Sequence, residues 1–242
     1  MPDKGKTLPF RNLDWKSIRK TGLLRSFQRA VQRLVPHWVF DSNSLVAVDY
    51  DLEEWLVVRP DEKWHHMWVD EQDDHLIENG GLSDADIRKY RLHNGRAHIV
   101  VQDDETAAYS WVIPNQWDIY DWIRVRLAPG EFYAAGTFVA HTFRGQNLQG
   151  EIRKFAWSQL AIEGQSRVMT FVERLNRSSL RSQVKPARRY VGRLTYVRLL
   201  GLVIYSLDGK WRAGFWNRHR PFEISFDMFD RSVSRAPKGA AT

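Results

Sequence analysis

The chain has no cysteine among its 242 residues. That excludes disulfides, thiolate metal sites and a cysteine nucleophile, and it fits a reducing compartment. Long apolar runs are also missing. No stretch approaches the 18 uncharged apolar residues of a spanning helix, and the N-terminus has no apolar region of the signal-peptide kind. Both point to a cytoplasmic protein. Metal-ligand spacing is lacking too. His65 and His66, with Asp70, Asp73, Asp74 and His75 close behind, are good ligand types, but adjacent histidines point in different directions and no known spacing is matched. No metal is expected.

What is present is an uneven charge. Residues 1–35 hold nine Lys or Arg against Asp3 and Asp14, so this segment alone carries the formal net charge of +7; the remaining residues hold twenty-seven of each sign. Within it Leu13, Trp15, Ile18, Leu23, Leu24, Phe27, Val31 and Leu34 recur at three- and four-residue steps before Pro36. The pattern predicts a basic amphipathic helix in an N-terminal extension, 1–38. Such a helix can pack on its own domain, lie on an anionic membrane surface, grip an acidic protein or track nucleic-acid phosphates, the last being the weakest reading.

The aromatic residues, eleven of them Trp, and 43% hydrophobic residues suffice for a sizeable core. Its organising stretch runs from Phe132 to Gly192. Tyr133–Phe143 is β-rich and stops at Arg144-Gly145-Gln146-Asn147; from there Leu148, Ile152, Phe155, Ala156, Leu160 and Ile162 follow a helical period until Glu163-Gly164. Arg167–Glu173 is a short apolar strand. Strand, helix and strand make a βαβ unit with parallel neighbours. The start of its helix offers unpaired N–H groups and a favourable dipole beside Arg144, a candidate phosphate cradle.

Before this unit, Ser44–Leu52 and Trp55–Val58 read as strands. Ser83–Leu92 reads as a helix with an N-cap serine; 97–101 and 106–113 read as a hairpin, and Pro114–Gly130 as a loop whose Trp117, Tyr120, Asp121 and Trp122 line a pocket or cover the core. After it, 193–207 divides at Leu200-Gly201 into two strands, an edge strand follows through 210–226, and the small, polar residues of 228–242 read as a disordered tail.

Two motifs then agree in register. Val139, Phe143, Arg144 and Gly145, followed by Asn176, Ser179, Lys185, Val191 and Gly192, resemble the coenzyme A motifs of the GNAT superfamily (Gcn5-related N-acetyltransferases), as a divergent member. The resemblance covers roughly 96–207 and implies an α+β (α/β three-layer) domain over 39–227: a mixed, mostly antiparallel central sheet with a splayed parallel strand pair, flanked by helices. The region around His65 to His75 would then be a variable part on the acceptor side. Asn147 and Gln149 replace two family glycines; Gln183, Ala187 and Arg188 replace the Tyr, Gly and Phe of the later motif. Asn tolerates positive φ, Gln does so poorly, and Gln183 cannot protonate a leaving thiolate as the family Tyr does.

From the resemblance follow the expected roles. Acetyl-CoA or another acyl-CoA would be co-substrate. An amide near Phe138, Val139 and Ala140 would polarise its thioester, and Arg144 with the amides of Gly145, Gln146, Asn147, Leu148, Gln149 and Gly150 would hold the pyrophosphate. Asn176, Ser179 and Lys185 would face the cofactor. Glu173, ending the second strand, and His141, on the first, are the candidate bases. The acceptor would be an amine of a small molecule or a cell-surface polysaccharide precursor, with the protein cytoplasmic or peripheral to the inner face of the membrane, and a homodimer compatible with this. The alternatives are a catalytically degenerate binding protein, or a transferase using acyl carrier protein or aminoacyl-tRNA as donor.

Overall fold

Leu45 to Tyr50 are all buried, with Leu45 and Ala47 packed in one core cluster and Val46, Val48 and Tyr50 in another. A buried apolar run interrupted only by Asp49 is what a strand covered on both faces requires. The computed structural model describes residues 39–103, 105–176, 179–180 and 188–229. In chain order these form β1 (Phe40–Asp51), β2 (His65–Val69), α1 (His75–Asn79), α2 (Asp84–Leu92), β3 (Arg96–Gln102), β4 (Glu105–Pro114), β5 (Gln116–Tyr120), β6 (Ile123–Arg126), β7 (Glu131–Val139), α3 (Leu148–Ile162), β8 (Arg167–Glu173), β9 (Arg188–Leu199), β10 (Leu202–Leu207), β11 (Lys210–Phe215) and β12 (Phe222–Ile224).

Nine strands join in one sheet in the order β11-β10-β9-β1-β8-β7-β4-β3-β2, and β12-β6-β5 form a second, smaller sheet. In the large sheet only β7 and β8 are parallel neighbours. α3 lies on one face, where Ala156, Trp157, Leu160 and Ala161 pack on Val46, Val48, Tyr50, Val112, Phe132 and Val168. The other face carries the small sheet through Trp117, Trp122, Ile123 and Val125 and, towards β2, α1 and α2 through Ile77 and Ile87. This is the expected mixed α+β fold with a splayed parallel pair between covering layers.

Several expectations are corrected. Trp55–Val58 is no strand: Asp51 accepts from the Glu53 amide at 3.2 Å and starts a 3-10 turn over Leu52–Trp55. The stretch 114–130 is not a plain loop, because Asn115, at φ 65°, turns the chain into the β5–β6 hairpin. Its Trp117 and Trp122 are buried. Within the stretch from His65 to His75, His65–Val69 forms an edge strand, β2, antiparallel to β3. Least foreseen is β1, which inserts between β8 and β9 and pairs antiparallel with both. The amphipathic segment 1–38, Lys185 and most of the tail (230–242) lie outside the described residues.

Candidate functional site: a gap between parallel strands

β7 and β8 pair at only three steps, Glu131 with Arg167, Phe132 with Val168 and Tyr133 with Met169. The closed end is clamped by charge: Arg167 stands 3.0 Å from Glu131 and 3.7 Å from Asp49, all three little exposed. Beyond Tyr133 the strands separate. Thr170 Oγ1 donates to the Ala134 carbonyl at 3.1 Å on the α3 side of the sheet. On the opposite side the buried Tyr133 hydroxyl meets the Phe171 backbone; desolvation outweighs that bond and pushes the phenol pKa up. Side chains thus take over the pairing that the backbones give up.

The cause of the separation lies on β7. Between the pairs Trp111↔Ala135 and Tyr109↔Phe138 the register slips, leaving Gly136 and Thr137 opposite Ser110. This is a β-bulge. Gly136 takes φ 55°, and a β-carbon there would stand 2.6 Å from the Tyr90 hydroxyl, so both backbone and space demand glycine. Tyr90 is held between Trp111 and Trp117, stacked at 4.7 and 5.0 Å, and its burial pushes its pKa up to about 12.

Past the bulge the ladder decides which backbone groups face the gap. The Ala140 amide donates to Ala107 at 2.9 Å, so by antiparallel alternation Val139 turns its N–H and C=O away from β4 and into the gap. Arg144 Nε reaches the Val139 carbonyl at 3.4 Å. On β8 the Arg174 amide donates to Ser44 at 2.8 Å, which by the same alternation aims the Phe171 and Glu173 amides at the gap. Of the three residues expected to supply a polarising amide, Val139 alone has the orientation.

The chain leaves β7 by a 3-10 turn over His141–Phe143 and enters α3 through Gly145 at φ 86° and Asn147 at φ 59°. Asn147 takes the left-handed role of a missing glycine, as its side chain permits. Gly150 follows because a β-carbon there would lie 2.7 Å from the Asn147 carboxamide. The first amides to bond back into the helix are those of Gly150 and Glu151, to the Asn147 carbonyl at 2.8 and 3.2 Å; those of Leu148 and Gln149 precede the ladder. Leu148 itself is core. Phe143 packs edge-on against Trp64, and Lys63 Nζ comes within 3.5 Å of the Gln146 side chain. Arg144 and Lys63, both exposed, thus flank the start of α3. No pattern in the sequence signals Lys63, which arrives from a loop 83 residues away.

On the opposite side of the gap Glu173 is exposed at the end of β8. Asn43 Nδ2 donates to its Oε1 at 3.0 Å and to the Tyr120 hydroxyl at 3.2 Å. Tyr120 and Tyr196 meet edge-on with ring centroids 5.6 Å apart, and Tyr196 donates to Asp41 at 2.9 Å. Burial is the first cause raising both phenol pKa values. Asn43, Asp41 and Tyr196 were missed, since nothing in the sequence says that β1 lies beside β8. His141 is corrected: it lies beyond the strand, exposed in the 3-10 turn, with no strand neighbour to orient it. Asn176 caps a turn, accepting from the Ser179 amide at 3.0 Å.

Behind the bulge, under α3, is a cavity of about 20 Å3 lined by His98, Ser110, Thr137, Arg153, Trp157 and Thr170 among others, room for about one water. His98 is buried, lies 3.2 Å from His66 and stacks on Phe155 at 4.6 Å. Among the described residues no three His, Cys, Asp or Glu side chains gather as a metal site, and no helix is long and apolar enough to cross a membrane.

No family model matches the sequence, and no curated protein is similar to it. Solved structures are similar in fold. They include a conserved Staphylococcus epidermidis protein of unknown function (11% identity, TM-score 0.45, 78% of this chain and 68% of that one). A putative acetyltransferase of the GNAT family from Novosphingobium aromaticivorans is similar at 16% identity (TM-score 0.47, 65% of each chain). So is a GNAT-family acetyltransferase from Colwellia psychrerythraea (12%, TM-score 0.42, 70% of this chain and 57% of that one). The chain thus spans about two thirds or less of their lengths. The chain's own topology combines a bulged strand, a crossover helix and a splayed parallel pair.

Proposed function

We propose that the protein is an acyl-CoA-dependent N-acyltransferase that binds its thioester in the gap between β7 and β8. The observation that carries this reading is the gap itself, closed at one end by three backbone pairs and opened by the Gly136–Thr137 bulge. A phosphate-receptive helix start lies at the far end of β7, and a carboxylate lies at the far end of β8. Arg144, Lys63 and the amides ahead of Gly150 hold the pyrophosphate. The Val139 amide, preorganised and facing the gap, stabilises the oxyanion that develops on the thioester carbonyl. Glu173 takes the proton of the attacking ammonium, directly or through one water. The amine nitrogen bonds to the carbonyl carbon and releases its remaining excess proton to solvent, the C–S bond breaks, and the thiolate takes a proton from Tyr90, over the bulge, which solvent then reprotonates, or from solvent directly. That assignment fills the role left vacant by Gln183. The acceptor class is an amine of a small molecule or of a surface-polysaccharide precursor.

The test is titration calorimetry of the full chain with acetyl-CoA and with CoA, followed by turnover with a panel of amines. Micromolar binding that weakens about tenfold or more in Arg144→Glu, equivalent to about 1.4 kcal/mol, supports the cradle. Absence of binding by either ligand overturns it.

A further inference from the structure

We propose that Asn43 is a positioning residue for Glu173: it fixes one carboxylate oxygen so that the other is presented to the open side of the gap. The inference rests on the acyltransferase reading for its purpose, though not for its geometry. Three bonds determine how the Asn43 carboxamide is turned. The Ser44 amide can only donate, and it stands 2.8 Å from Asn43 Oδ1. An ionised Glu173 can only accept, and its Oε1 stands 3.0 Å from Nδ2. The carboxamide therefore cannot be flipped without breaking both. Its second N–H goes to the Tyr120 hydroxyl at 3.2 Å.

Asn43 thus donates both of its N–H groups, one to Glu173 and one to Tyr120. A carboxamide does not relay protons at neutral pH, so Asn43 braces Glu173 and does not drain it. Among the described residues Oε2 of Glu173 has no partner. β1 makes the brace possible, since Leu45 is the residue opposite Glu173 and Asn43 is the next residue along on the same face.

The experiment uses the full-length protein and two readouts. In 15N-labelled protein the Asn43 side-chain amide pair, identified by its loss in Asn43→Ala, should move in Glu173→Gln while the other carboxamide signals stay; an unmoved pair overturns the brace whether or not the protein turns anything over. In turnover, Asn43→Ala should lower kcat about tenfold or more, as misorientation of a reacting group does. KM for acetyl-CoA should stay within twofold, and Asn43→Gln, which keeps both donors on a longer arm, should recover part of the loss. A wild-type kcat in Asn43→Ala overturns the positioning role. Absence of turnover in the wild-type protein, with the amide pair still moving, counts against the acyltransferase reading and leaves the brace supported.

Discussion

Thr170 donates from Oγ1 to the Ala134 carbonyl, 3.1 Å away, one residue beyond the last backbone pair between β7 and β8. A hydroxyl there lets a buried carbonyl lose its strand partner without losing its hydrogen bond. Thr170→Val keeps the shape and removes the donor. It should destabilise the fold by about 1–2 kcal/mol, the cost of an orphaned buried acceptor, readable as a lower denaturation midpoint at unchanged m-value.

Gly136→Ala should be worse than its size suggests. The residue sits at φ 55°, and the new methyl would meet the hydroxyl of a Tyr90 already pinned between two tryptophans. Strain and overpacking each contribute about 1–3 kcal/mol. Chemical denaturation measures the loss. Combining the change with Tyr90→Phe, which removes the oxygen concerned, should relieve part of it.

Asn147 separates two explanations of the turn before α3. If its left-handed φ is what the cradle needs, Asn147→Gly should bind CoA within about twofold of wild type. A β-branched Asn147→Val, costly at φ 59°, should bind about tenfold or more weakly. Calorimetric titration of both variants decides.

Acid should weaken the fold through His98. Burial lowers its pKa well below 6.5, with the neighbouring His66 acting in the same direction. The folded protein therefore keeps His98 neutral where the unfolded chain protonates it. Stability should be full above about pH 6.5 and fall as pH drops below it. From His98 the slope should approach about 1.4 kcal/mol per pH unit, and less should come from His66, which solvent reaches. His98→Gln should flatten the dependence in denaturation series between pH 7 and 5.

How much of this could be read beforehand depended on how local the signal was. α3 and β8 occupy 148–162 and 167–173 as their periodicity indicates, because an amphipathic helix and an apolar strand between glycine and polar stops are decided by near neighbours. Asn147 at positive φ followed from side-chain chemistry at one position. Glu173 was legible as a strand-end carboxylate. Its partner Asn43, 130 residues away, was not, since no pattern in Phe40–Asp51 says which strand it will join. His141 was misplaced for a related reason: β propensity continues through Val139-Ala140-His141, but the ladder ends when the chain turns at Ala140 towards α3.

The central position of β1 bears on how the protein is made. Leu45 is paired with Glu173 on one side and Leu194 on the other, so a strand synthesised early has partners that emerge well over a hundred residues later. Until then its apolar residues, Leu45 to Val48 and Tyr50, have neither sheet face nor edge covered. Such long-range pairing folds slowly and exposes sticky intermediates. Ribosome-bound chains ending before β8 should therefore depend on chaperones, and those that include β9 should acquire protease resistance in one step.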